Sequence, residues 1–201
     1  MKFYISFIVI LLCSCSSIPP TDQPINRISQ NATERQRQLS QLENWNIRGK
    51  IAFIQPEERS NASLFWQYQA KPLKQKLNLT TYLGINVLSI ESKNNTHSIE
   101  IDGETYQGND LEELIYNLTG LVLPSKALTA WLKGIPYLYH DTIEYNAKTN
   151  LPLSLTSQYN GHMWLITYSN YHNVNGYLLA KSFTIKQQDL TIKIRINQWN
   201  T

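Results

Sequence analysis

The chain has 201 residues, 42% of them apolar and 11% aromatic, enough for one domain with its own core. Lys and Arg outnumber Asp and Glu by 18 to 15, and a net charge of +3 gives no argument for a nucleic-acid partner. A charged fraction of 16% with 12 Tyr and 5 Trp excludes a disordered, collagen-like or coiled-coil chain, and no apolar run after the N-terminal one approaches the roughly 18 residues of a membrane helix.

Lys2 is followed by ten largely apolar residues, Phe3 to Leu12. A helix of that length spans about 15 Å, half the hydrocarbon thickness of a bilayer, so it predicts a signal sequence and not an anchor. The run ends in Leu12-Cys13-Ser14-Cys15, which resembles the bacterial lipoprotein signal. In that family the peptidase cuts before a Cys whose thiol and new amine are then acylated. Cys15 fits the position; Cys13 does not, because bulky Leu12 precedes it. Residues 1–14 are therefore expected to be a signal peptide and Cys15 the lipidation site, an anchor made permanent by its several chains. One cysteine remains after the cut, so no internal disulfide is expected. Ser16 stands where inner-membrane lipoproteins often carry Asp, and by resemblance this implies the periplasmic face of the outer membrane.

Residues 15–26, with Pro19, Pro20 and Pro24, read as a lipid-anchored tether, and residues 27–201 as one domain. From Arg27 to Asn44 a polar stretch with Ile28, Ala32, Leu39 and Leu42 predicts a helix with a thin apolar stripe. Strand signals follow. Trp45, Ile47, Gly49, Ile51 and Phe53 alternate with polar residues, as do Ala62, Leu64, Trp66 and Tyr68, and then Leu77, Leu79, Thr81 and Leu83. Shorter runs lie at 86–91, 97–101 and 104–107, the last two joined by Asp102-Gly103, a hairpin turn. Two short helices interrupt. Asn109 or Asp110 can cap the first, with Leu111, Leu114, Ile115 and Leu118 on one face and Gly120 as its stop. Pro124 and Ser125 open the second, with Leu128, Trp131 and Leu132 on one face and Gly134 as its stop. Strands resume near 140–146, 152–159, 162–169, 177–185 and 189–198, with Asn160-Gly161 as a hairpin turn and Lys193 and Arg195 facing away from Ile192, Ile194 and Ile196. About eleven strands, all joinable as antiparallel neighbours, predict one large curved sheet with the helical insert over one side.

Catalytic signals are sparse. The histidines, His97, His140, His162 and His172, form no metal-binding spacing, and no nucleophile elbow or phosphate loop is present. His140-Asp141 reads as a polar strand edge, and Glu112-Glu113 as a solvated helix face. No enzymatic activity, metal or cofactor is expected. What remains is apolar surface, which either fills an ordinary core or lines a cavity for lipid.

The order of motifs then resembles a known family. After the lipoprotein signal and polar helix come Trp45-Asn46-Ile47-Arg48-Gly49-Lys50-Ile51-Ala52-Phe53, Leu64-Phe65-Trp66-Gln67, the Leu83-Gly84 loop, Leu118-Thr119-Gly120, Leu128, Trp131-Leu132-Lys133-Gly134 and an Ile-rich terminal strand reaching Trp199. This resembles the LolB family of outer-membrane lipoprotein receptors over nearly the whole chain. The resemblance implies a mainly β (α+β) fold, an antiparallel half-open barrel of about eleven strands with a helical lid over an apolar cavity. It implies a monomer whose partners are the periplasmic carrier LolA, acylated lipoproteins as cargo and outer-membrane lipids. It also implies a protruding loop with an exposed Leu for membrane insertion, here Leu83 between Tyr82 and Gly84, where family members often carry Pro in place of Tyr82. Phe53, Leu64, Trp66, Leu128 and Trp131 are expected to border the acyl-chain cavity. Two other readings stay open: a lipid-binding or envelope-assembly lipoprotein without insertion activity, and a periplasmic hydrolase using His140 or His162.

Overall fold

Alternation of apolar and polar residues gives the sheet of this molecule two unlike faces, and everything else follows from where the apolar face is covered. The computed structural model describes residues 31–201; the expected signal peptide, Cys15, the tether and residues 27–30 lie outside the described residues. Helix α1 (Ala32–Ser40) is followed by β1 (Asn44–Ile54), β2 (Arg59–Gln69), β3 (Lys74–Thr80), β4 (Asn86–Lys93), β5 (Thr96–Ile101) and β6 (Glu104–Gly108). Two helices intervene, α2 (Leu111–Thr119) and α3 (Ser125–Trp131). The chain then completes β7 (Thr142–Tyr145), β8 (Pro152–Tyr159), β9 (His162–Val174), β10 (Tyr177–Gln187) and β11 (Leu190–Asn200).

The spatial order is β6-β5-β4-β3-β2-β1-β11-β10-β9-β8-β7, antiparallel throughout. Pairing of β1 with β11 makes the two ends of the meander its centre and leaves β6 and β7 as edges. These edges are consecutive in the chain, so the connection between them must cross the open side. Helices α2 and α3 lie in that connection. The result is the expected half-open barrel, closed by helices and not by hydrogen bonds.

The register shows how the apolar face is assembled. Ile101, Leu88, Leu79 and Leu64 face one another across β5, β4, β3 and β2 and lead to Gly49 on β1. A second row runs from Ile99 through Ile90, Leu77 and Trp66 to Ile47 and Trp199. A third joins Ile185, Ile192 and Phe53, and a fourth Phe183, Ile194, Ile51 and Ala62. Gly49 interrupts the first row for a steric reason. A Cβ there would lie 2.2 Å from the carbonyl oxygen of Arg195, where β1 and β11 change register at a bulge.

Helix α2 forms where its caps predict, and α3 opens at Ser125 after Pro124 as expected but ends at Trp131, ahead of the expected stop at Gly134. Asp110 accepts from the amides of Glu112 and Glu113, which holds its carboxyl below the usual range, and Gly120 ends α2 in the left-handed region at φ +69°. α2 sets Leu111 and Ile115 against Ile90 and Ile99, while α3 buries Ala127 and Trp131 in the main core. The described part of the first helix, capped by Asn31, is shorter than the span expected from sequence and stops at Ser40. Its stripe holds a charge that the pattern did not announce. Arg35 is buried and donates to the carbonyls of Leu178 (3.2 and 2.9 Å), Gly134 (3.0 Å) and Lys133 (2.9 Å), tying α1 to β10 and to the chain after α3.

Candidate functional site

Between the concave face and the two helices lies a cavity of about 250 Å³. Its walls are drawn from the rows just described, with Phe53 and Ile192 at one end and Trp66 with Leu77 and Ile90 at the other, while Ile47, Gly49, Ile99, Phe183 and Trp199 stay outside the lining. The roof is supplied by Leu111, Ile115 and Thr119 of α2, by Leu121 and Leu123 of the connection, and by Ser125 and Leu128 of α3. The floor ends in aromatic packing: Trp66 meets Trp45 at 5.2 Å, and Trp45 meets Trp199 at 5.6 Å. A polar chain satisfies the groups at that end. Trp66 Nε1 donates to Gln75 Oε1 (3.3 Å), Gln75 Nε2 donates to Ser92 Oγ (3.1 Å), and that hydroxyl lies 2.7 Å from His97 Nδ1. Burial pushes the His97 imidazole down from its usual value.

Of the five residues expected around one cavity, the structure brings four together: Phe53, Leu64, Trp66 and Leu128. Trp131 is not among the lining residues. It is fully buried on the far side of α3, 6.0 Å from Trp164 and 6.1 Å from Tyr159, with its Nε1 donating to Asp141 Oδ2 at 3.2 Å. Its neighbour in the expected stripe, Leu128, reaches the cavity, so this short helix splits its apolar face between two surroundings. Trp131 roots the lid.

Glu112 is a second correction. It is half-buried, not merely solvated: it accepts from the Tyr159 hydroxyl (3.1 and 3.3 Å), Asn160 Nδ2 (3.0 Å), Ser125 Oγ (3.3 Å) and the Lys126 amide (3.3 Å). One carboxylate thereby clasps the start of α2 to the start of α3 and to the β8–β9 turn. Burial, and after it the Glu112 charge, raises the Tyr159 phenol far above its usual range, so it remains a donor. Asn160 and Tyr159 stand 48 and 47 positions from Glu112, a separation that no local pattern can bridge.

At one end of the sheet lie the β1–β2, β3–β4, β5–β6, β8–β9 and β10–β11 turns. The exposed lining residues Ser60 and Val87, beside half-buried Phe53, mark the cavity mouth at this end. The β3–β4 turn projects there. Strand β3 stops at Thr80, so Leu83 leaves the alternation that holds Leu77 and Leu79 on the concave face. Leu83 is 81% and Tyr82 95% exposed, with Ile85 at 62%. The turn is nonetheless tied: the Thr81 amide donates to the Ile85 carbonyl (2.8 Å), and the Gly84 amide to the Thr81 carbonyl (3.0 Å). Gly84 takes φ +81°, the left-handed position of a three-residue hairpin loop. Tyr82 in place of Pro leaves a turn whose shape is set by Thr81 and Gly84.

The remaining polar candidates contact neighbouring segments of the fold. His140 Nε2 contacts the Gln158 carbonyl at 3.1 Å, His162 Nδ1 lies 3.1 Å from Gln187 Nε2, and Asp141 Oδ2 accepts from Trp131 and from the amides of Tyr137 and Leu138. Among the described residues no group of three or more His, Cys, Asp or Glu could hold a metal ion.

A lidded, half-open antiparallel barrel around an apolar cavity places the molecule, by fold, among proteins built like LolA. A LolA-superfamily protein from Nitrosomonas europaea superposes with a TM-score of 0.51 at 9% identity, over 86% of this chain and 94% of that one. A DUF1329 family protein from Desulfovibrio piger gives 0.55 at 6% identity, over 84% and 90%. Sequence narrows the class. The family model described as outer membrane lipoprotein LolB matches residues 43–199. Relatives named outer-membrane lipoprotein LolB from Aeromonas hydrophila and Tolumonas auensis are each 32% identical, covering 95% and 96% of this chain and 92% and 93% of theirs. The chain belongs to the LolB family.

Proposed function

We propose that this protein is an outer-membrane lipoprotein that receives acylated lipoproteins from the periplasmic carrier LolA, shelters their acyl chains and inserts them into the outer membrane. The observation that carries the reading is an apolar cavity whose mouth opens beside a hydrogen-bonded turn presenting Tyr82 and Leu83 to solvent. Acyl chains carried through water need such a cavity, since exposing one 16-carbon chain costs on the order of 10 kcal/mol at about 0.8 kcal/mol per methylene. Release needs a different element. A single inserted Leu contributes about 1.5–3 kcal/mol, enough to touch the lipid boundary reversibly and too little to anchor the domain. Anchoring falls to the acyl groups on Cys15, at the end of the tether, which keep the domain on the periplasmic face. Partner exchange is driven by relative affinity for the chains, without nucleotide or cofactor.

The cavity is small for its task. At about 250 Å³ it falls below the roughly 300–1,000 Å³ of pockets that enclose drug-sized ligands, and in this reading α2 and α3 lift to admit an acyl chain.

The test is Leu83→Glu in the full-length, reconstituted protein. With Leu83 81% exposed, folding stability should stay within about 0.5 kcal/mol of the parent and acceptance of lipoprotein from the carrier should be unchanged. Transfer into vesicles should fall by about tenfold or more, as expected for losing at least 1.5 kcal/mol of insertion free energy. Transfer at the parental rate, with acceptance intact, would leave an acyl-binding lipoprotein without an insertion step.

A further inference from the structure

The convex face beside the Tyr82–Leu83 turn carries a groove of about 470 Å³ whose charged lining is entirely basic: Lys50 of β1, Arg59 of β2, and Lys193 and Arg195 of β11. All four are exposed, and among the described residues none forms an ion pair. The register makes this an unrelieved concentration of charge. Lys50 sits directly opposite Arg195 across the β1–β11 ladder, and Lys193 lies two residues before Arg195 on the same face. Like charges facing each other across strands destabilise a sheet. The acids of the adjoining turns, Glu57 and Glu58 between β1 and β2 and Asp189 between β10 and β11, do not line the groove. Polar floor groups, Asn61, Ser63 and Thr184, offer hydrogen-bonding partners for anionic oxygens.

Tyr82 also lines this groove, so the basic face and the exposed apolar turn are one continuous surface. A soluble anion would explain the charge but leave Leu83 and Ile85 in water. A phospholipid surface satisfies both, with phosphates at the cations, acyl boundary at the leucine, and an amphipathic Tyr between them. We propose that the groove binds the phosphate headgroups of anionic phospholipids and orients the domain so that the cavity mouth meets the bilayer as the turn inserts. The inference rests on the reading of the turn as the membrane-facing element. It adds the headgroup class and a second contact that fixes orientation.

Near an anionic surface each such cation strengthens contact by roughly fivefold, so neutralising all four should weaken groove contact by roughly a hundredfold or more. The experiment uses the full-length protein reconstituted in vesicles, with a fluorophore placed in the groove through Ser182→Cys and a quencher on lipid headgroups. Quenching should be strong when phosphatidylcholine is mixed with phosphatidylglycerol and weak in phosphatidylcholine alone. It should disappear at about 1 M salt, where screening acts within about 3 Å. The combined variant Lys50→Gln, Arg59→Gln, Lys193→Gln, Arg195→Gln should lose the quenching while melting at or above the parental temperature. Leu83→Glu separates the two readings: retained quenching with lost transfer supports groove and turn together, and retained quenching with normal transfer removes the turn while sparing the groove. Equal quenching in both lipid mixtures, or undiminished quenching in the fourfold variant, overturns the proposal. So does relief of quenching by soluble polyglutamate at low concentration, which would make the groove a site for an acidic protein.

Discussion

Removing one hydroxyl should loosen the lid without disturbing the core. Tyr159 holds the clasp through its OH, which donates to both oxygens of Glu112, while its ring packs 6.1 Å from Trp131 and 5.7 Å from Tyr137. Tyr159→Phe keeps the ring contacts and deletes the donor. A hydrogen bond to a charged acceptor contributes about 1.5–3 kcal/mol. The lower end applies here, because Glu112 is only half-buried and keeps Asn160, Ser125 and the Lys126 amide as donors. About 1.5 kcal/mol corresponds to a tenfold shift in the closed-to-open ratio. If lid opening limits admission, the full-length protein should take up a fluorescent acyl probe about tenfold faster in stopped flow. Its unfolding midpoint should drop by only a few degrees. Glu112→Gln should act in the same direction, since it keeps acceptor geometry at one oxygen but loses the charge. Uptake at the parental rate, with the melting temperature lowered, would mean that the clasp supports the fold and has no part in opening.

Other expectations follow from single contacts. Gly49→Ala places a Cβ 2.2 Å from a backbone carbonyl, so β1 and β11 must separate; a loss of at least the about 1–3 kcal/mol typical of overpacking should appear as a lower midpoint in urea. Arg35→Leu leaves the carbonyls of Leu178, Lys133 and Gly134 without their donor, and at about 1 kcal/mol or more each the loss should be about 3 kcal/mol by chemical denaturation. His97, only 7% exposed, has its pKa lowered by burial and then by Lys126, against an opposing effect of Asp110. As pH falls the unfolded chain takes up the proton first, near 6.5, so the contribution of His97 to stability is complete above that value. It is lost as pH falls from there through the lower folded value. His97→Asn should flatten that part of the pH–stability curve, and an unchanged slope below pH 6.5 would assign it to other groups.

Strand identities were legible because half-buried strands write a period of two into the sequence, and β1, β2 and β11 do so over many residues. The limits of that signal appear at its ends. Parity alone carries Leu83 onto the concave face with Leu77 and Leu79, yet a register shift after Leu79 and the close of β3 at Thr80 turn it out to solvent. Four cavity residues could be foreseen because they lie on adjacent strands or on the helix above them. Trp131 could not be separated from Leu128, since a helical stripe reports burial and not what the buried side chain meets. The clasp and the basic groove were illegible for one reason. Glu112 with Tyr159, and Lys50 with Arg195, are brought together by pairings between distant segments. The alternation of Lys193 and Arg195 against the isoleucines was visible, but the facing Lys50 was not.

The smallness of the cavity bears on how transfer runs in one direction. Helix α2 rests Leu111 and Ile115 on Ile90 and Ile99, so part of the apolar surface under the lid is already buried within the protein. An acyl chain that lifts α2 displaces those contacts, and its burial in the cavity is then opposed by the lid surface it uncovers. The chain is therefore bound less tightly than a preformed cavity of the same lining would bind it. This has a use at the bilayer. Reclosure of the lid on release would regain those contacts and offset part of the cost of giving up the chain, which itself gains full burial among lipid tails. A receptor with a permanently open cavity would lack that contribution and would hold its cargo longer. Thinning the cavity roof tests the point. Ile115→Ala removes roof volume beneath the helix and should slow release into vesicles while strengthening retention of the acyl probe. Faster release from this variant, with the fold intact, would show that lid closure does not drive discharge.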